Sequence, residues 1–165
     1  MQEVGIDIDI PEPHDTLEAN ATEKSSTIYK LTNEAVFSED TGLEVHALGG
    51  APGVKSARYA GEGRNMQDNI DKLLAELKDK PSRTAQFRTV VSLIIDGKEY
   101  QFEGICKGHI THEMDGSNGF GYDPVFIPEG SNTTFANMDI AEKNKFSHRK
   151  KAVQQLIDFL NEYQA

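Results

Sequence analysis

The chain has 165 residues, of which 37% are hydrophobic, and a formal net charge of −10. This length predicts a single domain over residues 1–165, and the acidic balance argues against a surface that binds nucleic acid through its phosphates. One cysteine, Cys106, excludes an intrachain disulfide and fits a reducing, cytoplasmic compartment. No apolar run approaches the ~20 residues of a membrane span, and no signal-peptide pattern opens the chain.

The first predicted elements are a strand, a helix and a second strand. Apolar residues occupy every second position over residues 4–10, which predicts a half-buried strand that Pro11 and Pro13 end. Residues 15–31 are predicted to form a helix with Asp15 or Thr16 as its N-cap. Residues 34–38 are predicted as a short strand. Residues 49–53 contain three glycines and a proline, which predicts a loop.

The remaining predicted elements are two helices and a β-hairpin. Apolar residues at helical spacing predict an amphipathic helix over residues 66–79. A β-rich run over 85–95, the turn Asp96-Gly97 and a returning strand over 99–106 predict a hairpin, and residues 109–113 continue the sheet. Ser147 is the predicted cap of the last helix, whose expected buried face consists of Val153, Leu156, Ile157 and Leu160.

This order of elements predicts the α/β class. The hairpin is antiparallel, whereas the strand–helix–strand segment near the start allows parallel pairing. We therefore expect a mixed β-sheet flanked by helices.

The most informative motif is the run at residues 118–124, which contains two glycines, two aromatic residues and a carboxylate. Glycine lets the backbone approach a flat ligand closely. An aromatic ring can stack on such a ligand, and an aspartate can hydrogen-bond its edge. The run therefore suits a planar heterocycle such as a nucleobase. The structural alternative is an aromatic turn that leads into a strand at residues 125–127.

Residues 38–42 place two carboxylates and hydroxyl groups at the end of the short predicted strand. Ligands of α/β sheets usually bind at strand ends, and oxygen-rich clusters suit Mg²⁺, which binds through one or two carboxylates and substrate phosphates. The alternative is a polar turn that follows a strand.

Two further segments carry cations. Residues 141–151 gather lysine, arginine and histidine around the start of the last helix, where cations oppose the helix dipole. This placement indicates an anionic or acceptor-bearing ligand, or alternatively a solvated basic face. The glycine-rich residues 49–61 include Lys55 and Arg58 but lack the ending of a P-loop. They form either a binding loop with a phosphate-directed arginine or a turn that allows close packing.

Together and in this order, these motifs resemble the inosine triphosphate pyrophosphatase family, the XTP/dITP diphosphatases that remove deaminated purine nucleotides. The motifs occupy residues 39–45, 47–53, 56–61, 119–124, 142–144 and 147–149, and the resemblance extends from about Ile10 to Leu160. It implies an elongated mixed α/β fold, a homodimer and a requirement for Mg²⁺. It also implies cleavage of purine nucleoside triphosphates to the monophosphate and pyrophosphate.

The resemblance also implies roles for individual residues. Asp40 would accept a proton from the attacking water and bind the metal, with Glu39 as the neighbouring carboxylate. The implied substrate-binding residues are Thr41, Phe120, Gly121, Tyr122 and Asp123, the base-reading Lys143, His148 and Arg149, and Lys24 and Arg58 near the phosphates. Hypoxanthine and xanthine present a 6-keto acceptor where adenine presents an amino donor. Hydrogen-bond donors at the base edge would therefore select the keto purines.

The chain departs from the family pattern at its start. Members open with a strand, a Thr/Ser- and Asn-rich loop whose lysine cradles the triphosphate, and a helix. No segment here matches that module, and Met1 falls roughly where the second strand of the family begins. The resemblance therefore implies an N-terminally shortened fold without the phosphate loop.

Two other departures concern carboxylates. Ala19 stands where many members have a metal-binding glutamate, and Glu18 lies one residue earlier, about 100° around a helix. Glu39 replaces the first residue of an Asp-Asp pair. The sequence leaves three alternatives open: an active pyrophosphatase, a catalytically impaired purine-nucleotide-binding protein or truncated fragment, and a structural partner of a complete paralogue.

Overall fold

The computed structural model describes residues 8–164. It contains one five-stranded sheet in the order β2-β1-β3-β4-β5. The strands are β1 (Val36–Val45), β2 (Pro52–Gly53), β3 (Thr84–Ile95), β4 (Lys98–Ile110) and β5 (Phe126–Pro128). Four helices accompany the sheet: α1 (Leu17–Thr32), α2 (Met66–Glu76), α3 (Ile140–Lys143) and α4 (His148–Glu162). The predicted α/β class is confirmed.

The strand pairings among the described residues are all antiparallel. The predicted parallel pairing depended on a first strand over residues 4–10. Residues 4–7 of that segment lie outside the described residues, and residues 8–10 form no strand. The hairpin of β3 and β4 is confirmed, because Asp96 and Gly97 adopt the positive φ angles of 51° and 72° that its tight turn requires.

Strand β1 is longer than the sequence predicts. We expected a strand to end at Ser38, but residues 39–45 continue it by pairing with residues 85–91 of β3. The polar residues after Ser38 do not end the strand because they form contacts with neighbouring elements. Thr41, for example, forms a hydrogen bond of 2.7 Å with Thr89 of β3. The acidic pair Glu39-Asp40 therefore lies in the middle of a strand instead of at its end.

Helices α1 and α4 cover opposite faces of the sheet. Leu17 and Ala21 of α1 pack with Val90, whereas Ala152 and Leu156 of α4 pack with Val91. Adjacent residues of a strand point to opposite faces, so Val90 and Val91 assign each helix to its own side. The larger core lies on the side of α4 and includes Leu43, Phe87 and the buried residues of α2.

The buried face of α4 differs from the prediction. Leu156 is buried as expected, but Ile157 and Leu160 are 44% and 42% exposed, and Ala152 is fully buried. The cause is a close approach to β4: a Cβ on Gly104 would lie 1.9 Å from the carbonyl oxygen of His148. Ala152 therefore lies where α4 comes closest to β4, and the larger side chains of Ile157 and Leu160 point away from the sheet.

Two other predictions differ: Pro52 and Gly53, expected in a loop, form β2, and β4 ends at Ile110, although we expected the sheet to continue to residue 113. The remaining predicted elements agree with the structure to within a few residues. Thr16 caps α1 and Ser147 caps α4, each accepting a hydrogen bond from a backbone N–H three residues later. Cys106 is buried in β4, where burial raises the pKa of its thiol to about 11, as expected of an inert cysteine.

Among residues 8–164, no helix combines the length and the apolar composition that a bilayer crossing requires.

Candidate active site

A cleft of about 670 Å³ lies on the α4 side of the sheet. It is bounded by β1, β3, the loop before β5, α3 and the first turn of α4. Of the residues implied in substrate binding, the structure brings eight to this cleft: Thr41, Phe120, Gly121, Tyr122, Asp123, Lys143, His148 and Arg149. The side chains of Glu39, Asp40, Lys24 and Arg58 are not part of its lining.

The loop at residues 119–123 is built around the buried carboxylate of Asp123. This carboxylate accepts a hydrogen bond of 3.0 Å from the backbone N–H of Phe120. A Cβ on Gly119, which has a φ of 82°, would lie 2.2 Å from the same carboxylate, so the loop needs glycine there. The Tyr122 hydroxyl donates to the carbonyl of Ser56 at 2.7 Å. Phe120 is left 70% exposed at the cleft.

Asp123 also holds the cation of α3 at the cleft. Its Oδ2 lies 2.5 Å from Nζ of Lys143, and the Asp123 side chain is 5% exposed. The same ammonium lies 4.7 Å from the ring centre of Phe120 and 5.5 Å from that of Phe135. Charge-assisted hydrogen bonding and cation–π contacts therefore fix this donor between two aromatic rings.

His148 begins α4 and stacks on Phe87 with a centroid distance of 5.1 Å. Burial, followed by the charges of Arg149, Lys143 and Lys151, lowers the pKa of His148 to about 4. The imidazole is therefore neutral at pH 7, with one nitrogen as donor and one as acceptor. Its Nδ1 is buried and has no hydrogen-bond partner within residues 8–164, which is unusual for a buried polar atom. This ring can therefore offer a hydrogen bond to a ligand.

A second polar cluster lies on the α1 side of the sheet, around Asp40. Oδ1 of Asp40 lies 3.2 Å from Nζ of Lys24, and the same ammonium lies 2.6 Å from Oε1 of Glu12. Arg58 donates to the carbonyl of Glu12 at 3.2 Å. Burial raises the pKa of Asp40, and the charge of Glu12 adds to this effect while Lys24 opposes it. Two carboxylates and two cations thus meet at one place.

Glu12 is a functional candidate that sequence reasoning missed. It lies between two prolines in a segment without secondary structure, and no local pattern marks it. Only the fold places it beside Lys24 and Asp40, which are 12 and 28 positions away in the sequence. The arrangement of α1 against β1 is therefore the signal that reveals it.

The predicted pairing of Glu39 and Asp40 as neighbouring metal carboxylates requires a correction. Because they are adjacent in a strand, their side chains point to opposite faces of the sheet. Asp40 contacts Lys24 on the α1 side, whereas Oε1 of Glu39 forms an ion pair of 2.7 Å with Nε of Arg149 on the α4 side. The carboxylate that the structure places beside Asp40 is Glu12.

Glu18 contacts Arg88 and not the Asp40 cluster. Arg88 forms ion pairs with Glu18 of α1, Glu44 of β1 and Glu103 of β4 at 2.5, 3.0 and 3.2 Å. It thereby links the first turn of α1 to three strands. No local sequence pattern indicates this network, because its members are up to 85 residues apart.

The sequence model of the Ham1 family matches residues 1–159. The chain belongs to the Ham1 family. The dITP/XTP pyrophosphatase of Flavobacterium johnsoniae is 50% identical over 160 residues, which cover 97% of this chain and 83% of that protein. The dITP/XTP pyrophosphatase of Flavobacterium psychrophilum is 51% identical over 96% of this chain and 84% of that protein. The Staphylococcus aureus Ham1 protein superposes with a TM-score of 0.90 at 42% identity, over 94% of this chain and 81% of that one.

This membership confirms the resemblance that the motifs indicated. The candidate site of this protein has two parts. The cleft on the α4 side presents aromatic rings and hydrogen-bond donors. The cluster on the α1 side presents carboxylates and cations. Strand β1 joins them, because Thr41 lines the cleft and Asp40 belongs to the cluster.

Proposed function

We propose that this Ham1-family protein hydrolyses the non-standard purine nucleoside triphosphates XTP, ITP and dITP to the monophosphate and pyrophosphate, and so removes them from the cytoplasmic nucleotide pool. The observation that carries the proposal is that aromatic rings and hydrogen-bond donors share one cleft. Thr41 of β1 lines this cleft, and the preceding residue, Asp40, belongs to the carboxylate cluster. The names of relatives at about 50% identity support the same reaction.

The cleft is the proposed site of the base and sugar. Phe120 offers an exposed ring on which a purine can stack, and Gly121 leaves room for close approach. Lys143, His148 and Arg149 offer donors to the 6-keto oxygen of hypoxanthine or xanthine. Adenine presents an amino group at that position, which would leave these donors unpaired, and unpaired buried polar groups discriminate strongly between substrates.

The cluster on the α1 side is the proposed site of the triphosphate. Lys24 and Arg58 supply positive charge that opposes the charge of the phosphates. Asp40 accepts the proton of a water molecule whose oxygen forms a bond to the α-phosphorus. The bond from that phosphorus to the bridging oxygen breaks, and pyrophosphate leaves. Burial raises the pKa of Asp40, which makes its carboxylate a stronger base.

We also propose Mg²⁺ as the cofactor, held by Asp40 and Glu12. Hard carboxylate oxygens are the donors that this ion prefers, and one or two of them suffice when substrate phosphates complete the shell. Within residues 8–164, no three acidic, histidine or cysteine side chains form a group that could hold a metal ion without further ligands. When bound, the ion would supply Lewis-acid stabilisation of charge on the phosphate oxygens.

The test is pyrophosphate release from ITP, XTP, dITP, GTP and ATP, with and without Mg²⁺. We expect turnover of the first three, and a loss of at least about a hundredfold in Asp40→Asn, because a positioned general base contributes 10²–10⁴-fold. Glu12→Gln should raise the Mg²⁺ concentration for half-maximal activity. Glu113→Gln, which changes an exposed carboxylate outside both clusters, should behave as the unaltered protein.

The same assay distinguishes the alternatives. Binding of inosine monophosphate without turnover of any triphosphate would contradict the enzyme and support an impaired nucleotide-binding protein. Absence of both binding and turnover in a folded chain would support a structural role.

We further propose that the protein is a homodimer, as the family resemblance implies. Sedimentation velocity at micromolar concentration should then give about twice the 18.3 kDa of one chain. A single species with the mass of one chain would contradict this part of the proposal.

A further inference from the structure

We propose that Glu39 is a positioning residue for base recognition, because it holds the guanidinium of Arg149 at the cleft. The inference rests on the proposed function, in which Arg149 donates to the purine. It assigns Glu39 a role different from that of its neighbour Asp40.

The geometry of the contact is specific. Oε1 of Glu39 lies 2.7 Å from Nε of Arg149, which makes this a close ion pair. Glu39 lies in β1 opposite Val91 of β3, on the face that α4 covers, and Arg149 is in the first turn of α4. The ion pair therefore connects a central strand of the sheet with the helix that carries two base-reading residues.

The use of Nε leaves the terminal nitrogens of Arg149 available. A guanidinium donates through Nε and through both terminal nitrogens. Within residues 8–164, Glu39 is the only carboxylate within 4.0 Å of Arg149. Because Arg149 lines the cleft, its remaining donors can reach a ligand bound there. Glu39 thus fixes one side of the guanidinium and leaves the other for recognition.

Without Glu39, the position of Arg149 would be poorly determined. The Arg149 side chain is 56% exposed and has a long, flexible stem, whereas that of Glu39 is 31% exposed and belongs to a strand. Arg149 also begins a run of three cations with Lys150 and Lys151 at a helix N-terminus, where the dipole disfavours positive charge. The Glu39 carboxylate offsets this repulsion and restricts the rotamers of Arg149.

The experiment measures the dissociation constant of inosine monophosphate by calorimetry, because this readout needs no turnover. Glu39→Met removes the acceptor and retains the length of the side chain. We expect it to raise the dissociation constant about three- to tenfold, the range that weakening of one ordinary hydrogen bond to the base produces. The weaker binding of adenosine monophosphate should stay unchanged, so discrimination between the two bases falls by the same factor. The matched control is Glu142→Met, which removes an exposed carboxylate next to Lys143 and should leave both constants unchanged.

A double-mutant cycle separates positioning from a merely structural role. If Glu39 acts through Arg149, Glu39→Met should have no further effect on inosine monophosphate binding in an Arg149→Met background. An undiminished effect in that background, or unaltered binding in Glu39→Met itself, would overturn the inference.

Magnesium kinetics distinguish this inference from a metal-ligand role. Glu39→Met should raise the KM for ITP and leave the Mg²⁺ concentration for half-maximal activity unchanged. A rise in that Mg²⁺ concentration together with unchanged base discrimination would overturn the inference but leave the proposed function standing. Conversely, absence of ITP hydrolysis in the unaltered protein would contradict the proposed function, while the calorimetry would still decide the role of Glu39.

Discussion

At the scale of single residues, the charge state of His148 determines which hydrogen bonds this side chain would offer to the proposed purine ligand. Its burial and the cations around it hold the imidazole neutral at pH 7. A neutral ring can both donate and accept, whereas a protonated ring only donates. The same burial that shapes the cleft therefore also defines the recognition chemistry of this side chain.

The lowered pKa of His148 predicts a dependence of stability on pH. In the unfolded chain the pKa returns to its ordinary value of about 6.5, whereas in the folded protein it is about 4. Between these values the unfolded state binds more protons, so the free energy of unfolding falls as the pH falls from 6.5 to 4. The contribution of this one group is at most about 3 kcal/mol.

Urea unfolding of the unaltered protein and His148→Gln at pH 7, 5.5 and 4.5 measures this contribution. The variant should lose less stability between pH 7 and 4.5, while His112→Gln, at an exposed position, should follow the unaltered protein. An equal loss of unfolding free energy in the unaltered protein and in His148→Gln would show that His148 does not titrate in this range.

At the scale of elements, the position of each helix on the sheet depends on a few contacts between distant segments. Helix α4 approaches β4 so closely that Gly104 has no room for a side chain. Helix α1 is held to the sheet by Arg88 and by a hydrogen bond of 2.7 Å between Ser25 and Ser92. Because both helices carry proposed site residues, these contacts also position the site.

Gly104→Ala should displace α4. The added Cβ would lie 1.9 Å from the backbone oxygen of His148, and overpacking of this kind costs about 1–3 kcal/mol. Since His148 and Arg149 move with the helix, inosine monophosphate binding should weaken as well. Urea unfolding and calorimetry measure the two effects. Gly63→Ala is the control, because no atom lies within 4 Å of its added Cβ; equal behaviour of the two variants would contradict the prediction.

Arg88→Met should destabilise the contact between α1 and the sheet. The change leaves the carboxylates of Glu18, Glu44 and Glu103 without their shared cation. Loss of one partner from a partly buried ion-pair network costs about 3 kcal/mol. Glu103→Gln removes only the most exposed partner, whose side chain is 55% exposed, and should cost less than about 1 kcal/mol. Chemical unfolding of both variants should reproduce this order.

At the scale of the whole molecule, the two proposed binding regions lie on opposite faces of the sheet and meet at β1, where one nucleotide would contact both. The base cleft lies on the α4 side and the carboxylate cluster on the α1 side. A ligand that binds only the folded state raises stability by about 2.7 kcal/mol at a hundred times its dissociation constant. Ligands of the two regions should therefore raise the melting temperature independently.

Thermal unfolding with inosine monophosphate, or with magnesium pyrophosphate, tests this separation. Lys143→Met should abolish the shift from the monophosphate and keep that from magnesium pyrophosphate, because Lys143 belongs to the cleft alone. Glu12→Gln should keep the shift from the monophosphate and abolish the shift from magnesium pyrophosphate. Loss of both shifts in both variants would contradict this assignment of the two ligands to different parts of the site.

Features that depend on neighbouring residues could be predicted from the amino-acid sequence. The caps Thr16 and Ser147, the turn Asp96-Gly97 and the α/β class follow from local spacing and turn chemistry, which act over a few positions. The proposed substrate-binding motif at residues 119–123 could be singled out for the same reason, since its glycines and Asp123 form one compact loop.

How these parts are arranged around the site depends on packing between distant segments. Contacts between segments that are far apart in the chain place Glu39 and Asp40 on opposite faces of the sheet. Such contacts also bury Ala152 of α4 against the sheet and bring Glu12 beside Asp40. Local pattern specifies which residues are apolar or charged. Packing specifies which of them become neighbours, because the close approach of helix to sheet is set by small residues such as Gly104 on the opposing strand.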